Sequence, residues 1–228
     1  VRRHVAKALG HIGQEAKEAV PVLIHALQDE SSNVRRNVAE ALGHIGQEAN
    51  DAVPALNQAL QDGSEYVRRH AAKALGHIGQ EAKETVPALI QALQDEGSNV
   101  RRNVAEALGH IGQGVKGAVP TLIQTLQDGS SDVRRNAVRE LEKIGQEAKE
   151  AVPALIHALQ DENSNVRLTA AGALGHIGQN AKDVVPALIY ALQDEIEYVR
   201  LTVAGALGNI GQEAKDAVPT LIHALQDE

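Results

Sequence analysis

The chain restarts on the same text every 33 residues. The stretch VRRHVAKALGHIGQEAKEAVPVLIHALQDESSN from Val1 is followed by edited copies beginning at Val34, Val67, Val100, Val133, Val166 and Val199. A unit this short cannot bury its own apolar face, so a fixed period of this length requires stacking, each copy covering the next. The 228 residues are therefore read as one elongated domain, 1–228, of seven similar modules. No other feature of the sequence constrains the fold as tightly.

Within one copy, Val1, Val5, Ala8, Leu9 and Ile12 recur at spacings of three and four, the stripe of an amphipathic helix, called here helix B. Ser31, Ser64, Ser130 and Asn163 stand just ahead of later B helices and are expected to cap them through their side-chain oxygens. Gly13, Gly46, Gly79, Gly112, Gly145, Gly178 and Gly211 follow the last apolar residue and are expected to end the helix in a left-handed conformation. Ala16, Val20, Leu23, Ile24 and Leu27 mark a second helix, A, with Pro21 inside it. A proline there either kinks the helix or opens its main segment after a lead-in turn at residues 15–19. Pro54, Pro87, Pro120, Pro153, Pro186 and Pro219 repeat the position.

Pro21, Asp29 eight positions on, then Val34 and Arg35 form a spacing that resembles HEAT repeats, and VRRxAAxALGxIG with AVPxLIxAL is similar to the short HEAT-like subtype named after phycobilisome lyases. The resemblance covers the whole chain. It implies an all-α, right-handed α-solenoid (superhelix) of seven two-helix HEAT-like repeats, helix A convex and helix B concave. It also implies a structural ladder between neighbouring repeats, carried here by Asp29, Asp62, Asp95, Asp128, Asp161 and Asp194 with Arg35, Arg68, Arg101, Arg134, Arg167 and Arg200. A planar guanidinium suits that place, because it can bridge a carboxylate and backbone carbonyls at once.

Composition removes several function classes. With no cysteine there are no disulfides, thiolate nucleophiles or cysteine-held metals, and a cytoplasmic location is expected. No apolar run approaches the roughly 20 residues of a membrane span. A net charge of -8 argues against general nucleic-acid binding. The sequence opens on a helix B and closes on a helix A at Glu228, so both ends are expected to be open to end-to-end self-stacking, as in a piece of a longer array or an engineered protein.

Positions that vary between copies point to the exposed surface. On helix B they are the third, fourth, seventh and eleventh, and the third, seventh and eleventh lie four apart on one stripe opposite the packing face. In the resembled family this stripe faces the recognition groove. The third position reads Arg3, Arg36, Arg69, Arg102 and Arg135, then Leu168 and Leu201; the eleventh includes His11, His44, His77 and His110; Tyr66 and Tyr198 stand at helix starts on the same side. A protein or peptide partner is expected, with acidic residues toward one end and an apolar anchor at the other.

Equivalent histidines in adjacent repeats should be about 10 Å apart, too far to share a zinc ion, so no metal and no cofactor are expected. No serine or cysteine nucleophile recurs beside a histidine and an acid, and no catalytic residue is assigned. The expected function is a non-enzymatic protein-interaction scaffold. Nucleic-acid backbone binding through the arginine row, a bilin lyase and an engineered scaffold without a ligand stand as alternatives. Three local anomalies stand out: Glu140 and Glu142 replace an alanine and a glycine of the packing face, Asn57 replaces isoleucine, and Ile196 stands at a capping position.

Overall fold

The computed structural model describes residues 1–111, 117–177 and 183–225, with the side chain of Gln80 excepted. Gly112 and Gly178, two of the glycines expected to end helices, and the terminal Glu228 lie outside the described residues. Among the described residues all regular structure is helical, and the fold is an all-α solenoid. Contacts group the chain into two compact units, Val1–Thr121 and Leu122–Glu228.

In unit 1 the B helices are α1 (Arg2–Ile12), α3 (Ser32–Ile45), α5 (Glu65–Ile78) and α7 (Ser98–Ile111), and the A helices are α2 (Val20–Ala26), α4 (Val53–Ala59) and α6 (Val86–Ala92). α8 (Ala118–Thr125) carries the unit boundary. Unit 2 holds the B helices α9 (Ser131–Ile144), α11 (Ser164–Ile177) and α13 (Glu197–Ile210) and the A helices α10 (Val152–Ala158), α12 (Val184–Ala191) and α14 (Val218–Ala224). In each unit every B helix lies along the next B helix, while the A helices touch one another much less. The two helix types thus form separate layers, with the B layer the more closely packed.

The proline question resolves in favour of an opening. Gly13–Ala19 is a 3-10 segment, the backbone leaves helical values at Ala16 (φ -87, ψ 16), and α2 begins at Val20 with Pro21 in its first turn. A missing N–H costs nothing there, since first-turn donors have no intrahelical partner. The same arrangement recurs at Pro54, Pro87, Pro153 and Pro219.

Gly46 has the expected positive φ, 68, but its ψ of -134 places it in the mirror image of the extended region instead of the left-handed helical one. A side chain is strained in that region, which explains the glycine here and at Gly13, Gly79, Gly145 and Gly211, where φ is likewise positive.

The serine caps do not form: Ser31, Ser64 and Ser130 have extended backbones at the helix start but make no side-chain cap. Instead the preceding aspartate reaches forward. Asp29 Oδ1 accepts the N–H of Ser31 at 2.9 Å, Asp62 that of Ser64 at 2.8 Å, Asp95 that of Gly97 at 2.8 Å and Asp194 that of Ile196 at 2.9 Å. This bond uses only the backbone of the capping residue, so Gly97 and Ile196 are tolerated there. Asn163 alone behaves as the sequence suggests, its Oδ1 accepting the Asn165 N–H at 3.0 Å.

The core is aliphatic. Leu42, Ile45, Leu75, Ile78, Leu108 and Ile111 are wholly buried in the B layer of unit 1, as are Leu141 and Leu174 in unit 2. Each such side chain contributes about 1.5–3 kcal/mol on burial. A seam of small residues sets the spacing: a methyl group added at Gly10, Gly43 or Gly76 would sit 3.0, 3.1 or 3.0 Å from the Cα of Ala41, Ala74 or Ala107. The B helices of unit 1 therefore meet backbone to backbone, in the same register each time.

Candidate binding surface

The second-position arginines belong to the framework. Arg35 donates from Nε and Nη2 to Asp62 at 2.7 and 2.9 Å, and from Nη1 to the carbonyls of Asp29 and Glu30 at 2.7 and 3.0 Å. One guanidinium thus joins two successive interhelical turns. Arg68 repeats this with Asp95, Arg134 with Asp161 and Arg167 with Asp194, their Nε distances being 2.6, 2.7 and 2.7 Å. Arg2 lies 3.1 Å from Asp29. Arg101 Nη1 donates to the Asp95 carbonyl at 2.8 Å, and Arg200 Nη1 to that of Asp194 at 2.7 Å. Asp128 accepts the Ser130 N–H at 2.8 Å, and its carbonyl takes Arg134 Nη1 at 2.9 Å. Burial pushes the carboxyls of Asp62, Asp95, Asp161 and Asp194 up, but the arginine bonds, the accepted N–H and the nearby cations outweigh it and hold them below the usual range.

The third-position arginines point elsewhere. In unit 1, Arg3, Arg36, Arg69 and Arg102 sit on α1, α3, α5 and α7; Arg3 is exposed and the other three are half-buried. Tyr66 at the start of α5 is 59% exposed, with the Arg69 guanidinium 5.7 Å from its ring centroid. The pair offers a flat aromatic face beside a cation. Between the arginines and the histidines runs a mixed row, Lys7, Glu40, Lys73 and Glu106, whose charges alternate from one helix to the next.

The histidines are only partly available. His11 and His44 are exposed and His110 is half-buried. His77 is exposed too, but its Nδ1 donates to the Gly43 carbonyl at 3.1 Å, tying α5 to α3, and His70 Nδ1 donates to the Tyr66 carbonyl at 2.6 Å. Burial pushes both of these imidazoles down in pKa, against the carbonyl bonds that favour the protonated ring.

In unit 2, Arg135 is half-buried and pairs with Asp132 at 3.1 Å, which blunts its charge. Leu201 and Tyr198 are 59% and 71% exposed, while Leu168 is half-buried because α11 is flanked by B helices on both sides. A methyl group at Gly172 would meet only Thr202 Cγ2, at 3.9 Å, and one at Gly205 nothing within 4 Å, so the surface is dented there. The Glu140 side chain is 1% exposed and bound by Lys143 at 2.8 Å, and Glu142 pairs with His176 at 2.8 Å. The two packing-face carboxylates thus each have a basic neighbour. Among the described residues no cluster of three His, Asp or Glu could hold a metal ion, and no helix is long and apolar enough to cross a membrane.

The HEAT-repeat profile matches residues 1–65, 53–123, 119–182 and 179–228. The chain belongs to the HEAT-repeat family. No curated protein matches it. Among solved structures, an engineered protein is 26% identical with a TM-score of 0.63, the match covering 96% of this chain and 66% of that one. This HEAT chain thus spans about two thirds of that protein's length. A second engineered protein is 25% identical with a TM-score of 0.61, covering 85% of this chain and 97% of the other. A designed armadillo repeat protein in complex with the peptide (KR)4 is 22% identical with a TM-score of 0.59, covering 75% and 90%, and shares the fold alone.

One exposed residue of this HEAT array was not anticipated. Tyr190 on α12 is 69% exposed where the other copies carry His25, Gln58, Gln91, Gln124, His157 and His223. The departure is visible in the sequence, but it falls on helix A, outside the stripe singled out on helix B.

Proposed function

We propose that this HEAT-repeat chain is a non-enzymatic binding scaffold that takes an acidic, extended protein segment along the B-helix stripe of unit 1. The observation that carries the reading is charge segregation. In a protein of net charge -8, the stripe sets Arg3, Arg36, Arg69, Arg102, Lys7 and Lys73 against only Glu40 and Glu106. Its cations stand on the consecutive B helices α1, α3, α5 and α7. Such a field steers and orients an anionic partner. The designed armadillo protein named above is in complex with a peptide, (KR)4, and a peptide is the class of ligand proposed here, with the charge set by this chain's own cationic stripe.

Unit 2 offers a separate contact of apolar character at Leu201 and Tyr198, beside the dent at Gly172 and Gly205. An aliphatic side chain of a protein partner is the occupant we assign to it. Its motif spacing is the basis for placing the chain with the phycobilisome-lyase subtype of HEAT-like repeats; the recognition role assigned here needs no chromophore.

Fluorescence anisotropy with a labelled glutamate-rich peptide, an equally long lysine-rich peptide and duplex DNA tests the reading. The acidic peptide should bind, and Arg36→Glu with Arg69→Glu should weaken it at least about tenfold, two lost charge-assisted contacts being worth well over one decade. Tighter binding of DNA, with the steep salt dependence of phosphate contacts, would instead favour backbone recognition and overturn the proposal.

A further inference from the structure

We infer that the stripe of unit 1 is a ruler for polyproline II peptides that carry a carboxylate at every third residue. The inference rests on the reading of that stripe as an acidic-peptide site, and it adds the conformation and register of the ligand.

The ruler comes from the seam. The contacts Gly10 to Ala41, Gly43 to Ala74 and Gly76 to Ala107 are the same to within 0.1 Å, so α1, α3, α5 and α7 are set at one constant step. With backbones touching and Cα atoms about 2.3 Å from each helix axis, that step is about 8–9 Å, the short end of helix packing. Arg3, Arg36, Arg69 and Arg102 occupy the same position on each helix, so their side chains start one step apart.

Three peptide conformations can then be compared. A polyproline II helix has three residues per turn and advances about 9 Å per turn, returning to the same face with each third residue and drifting about 2 Å from the arginines over three steps. A β-strand returns to the same face every second residue after about 7 Å, and falls about 5 Å behind over the same distance. An α-helix returns after seven residues and about 10.5 Å, and runs about 6 Å ahead. A flexible arginine side chain absorbs the first mismatch but not the other two.

Tyr66 supplies a second, independent pointer. Its ring is exposed in the middle of the row and held beside the Arg69 guanidinium at 5.7 Å. Exposed aromatic faces are what polyproline segments dock against, because the rigid, pre-extended ligand loses little entropy on binding. It is the sole tyrosine of unit 1, and it stands on the same helix as Arg69.

The experiment uses the full chain and three labelled peptides of equal charge, each with four glutamates: one spaced by Pro-Pro, one by single residues in an extended sequence, and one every seventh residue of a helical peptide. The Pro-Pro-spaced peptide should bind about tenfold more tightly than either other. Tyr66→Ala should weaken that peptide several-fold and leave the single-residue-spaced one unchanged. Arg69→Gln should cancel the benefit of one glutamate only. Equal affinities for the three peptides, or preference for the helical one, would overturn the spacing rule while leaving the acidic-peptide reading intact. Failure of all three to bind would overturn both.

Discussion

Asn57 provides the sharpest test of the packing argument. It lies on α4 where the other copies carry Ile24, Ile90, Ile123, Ile156, Ile189 and Ile222, and its Oδ1 is buried with no hydrogen-bond partner among the described residues. An unsatisfied buried carbonyl costs about 1–3 kcal/mol. Isoleucine has as many side-chain heavy atoms as asparagine, and its half-burial at this site adds about 1 kcal/mol of apolar transfer. Asn57→Ile should therefore stabilise the chain by about 2–3 kcal/mol, which at a urea m-value of about 2–3 kcal/mol/M moves the midpoint up by about 1 M. Asn57→Ala relieves the carbonyl without adding apolar area and should yield about 1 kcal/mol. Circular dichroism at equilibrium gives the midpoints, and hydrogen exchange at Leu56 and Ala59 shows whether the gain is local, as expected for a stack with nearest-neighbour coupling. An isoleucine variant no more stable than the parent would refute the reasoning.

Other predictions come from the seam, the ladder and the exposed surface. Gly175→Ala puts a methyl 2.8 Å from the Cα of Ala206 and should destabilise by about 1–3 kcal/mol, whereas Gly205→Ala, with nothing within 4 Å, should stabilise by about 0.5–1 kcal/mol through helix propensity; thermal melts of the two decide it. The ladder aspartates have folded pKa values below the ordinary carboxylate one, so their stabilisation is complete above about pH 4 and is lost as pH falls through the lowered values; Asp161→Asn should flatten that acid limb in a urea–pH series. Leu201→Asp should change stability by less than about 0.5 kcal/mol and Leu168→Asp by more, since only the second residue is half-covered, and denaturation midpoints check the difference.

The fold was largely legible because the repeat period, the prolines and the apolar stripes all report local constraints that hold seven times over. Variation between copies also marks the stripe of third, seventh and eleventh positions, but the fourth position, which varies too, faces inward: Asn37, Asn103 and Asn136 are buried, and the first two donate to the carbonyls of Asn33 and Asn99 one turn back. What could not be read depends on distances between turns. The serines ahead of the B helices look like caps, yet Asp29 and its equivalents, noticed only for the ladder, reach the same N–H groups first. The bond from His77 to the Gly43 carbonyl requires the closeness of the Gly–Ala seam, which residue spacing along one helix does not reveal. Arg135 looked like one more member of the arginine row, but Asp132 one turn earlier partners it, a pairing the i,i+3 spacing could have disclosed.

The guanidinium that clasps two successive turns has a consequence for severed chains. Arg68 also donates to the carbonyl of Asp62, so a protease cut between Gly63 and Ser64 would leave its two products joined by this bond and by the aliphatic layer beneath it. Such fragments, expressed separately, should find each other and rebuild the array, which makes these turns natural places to divide the protein into complementing halves.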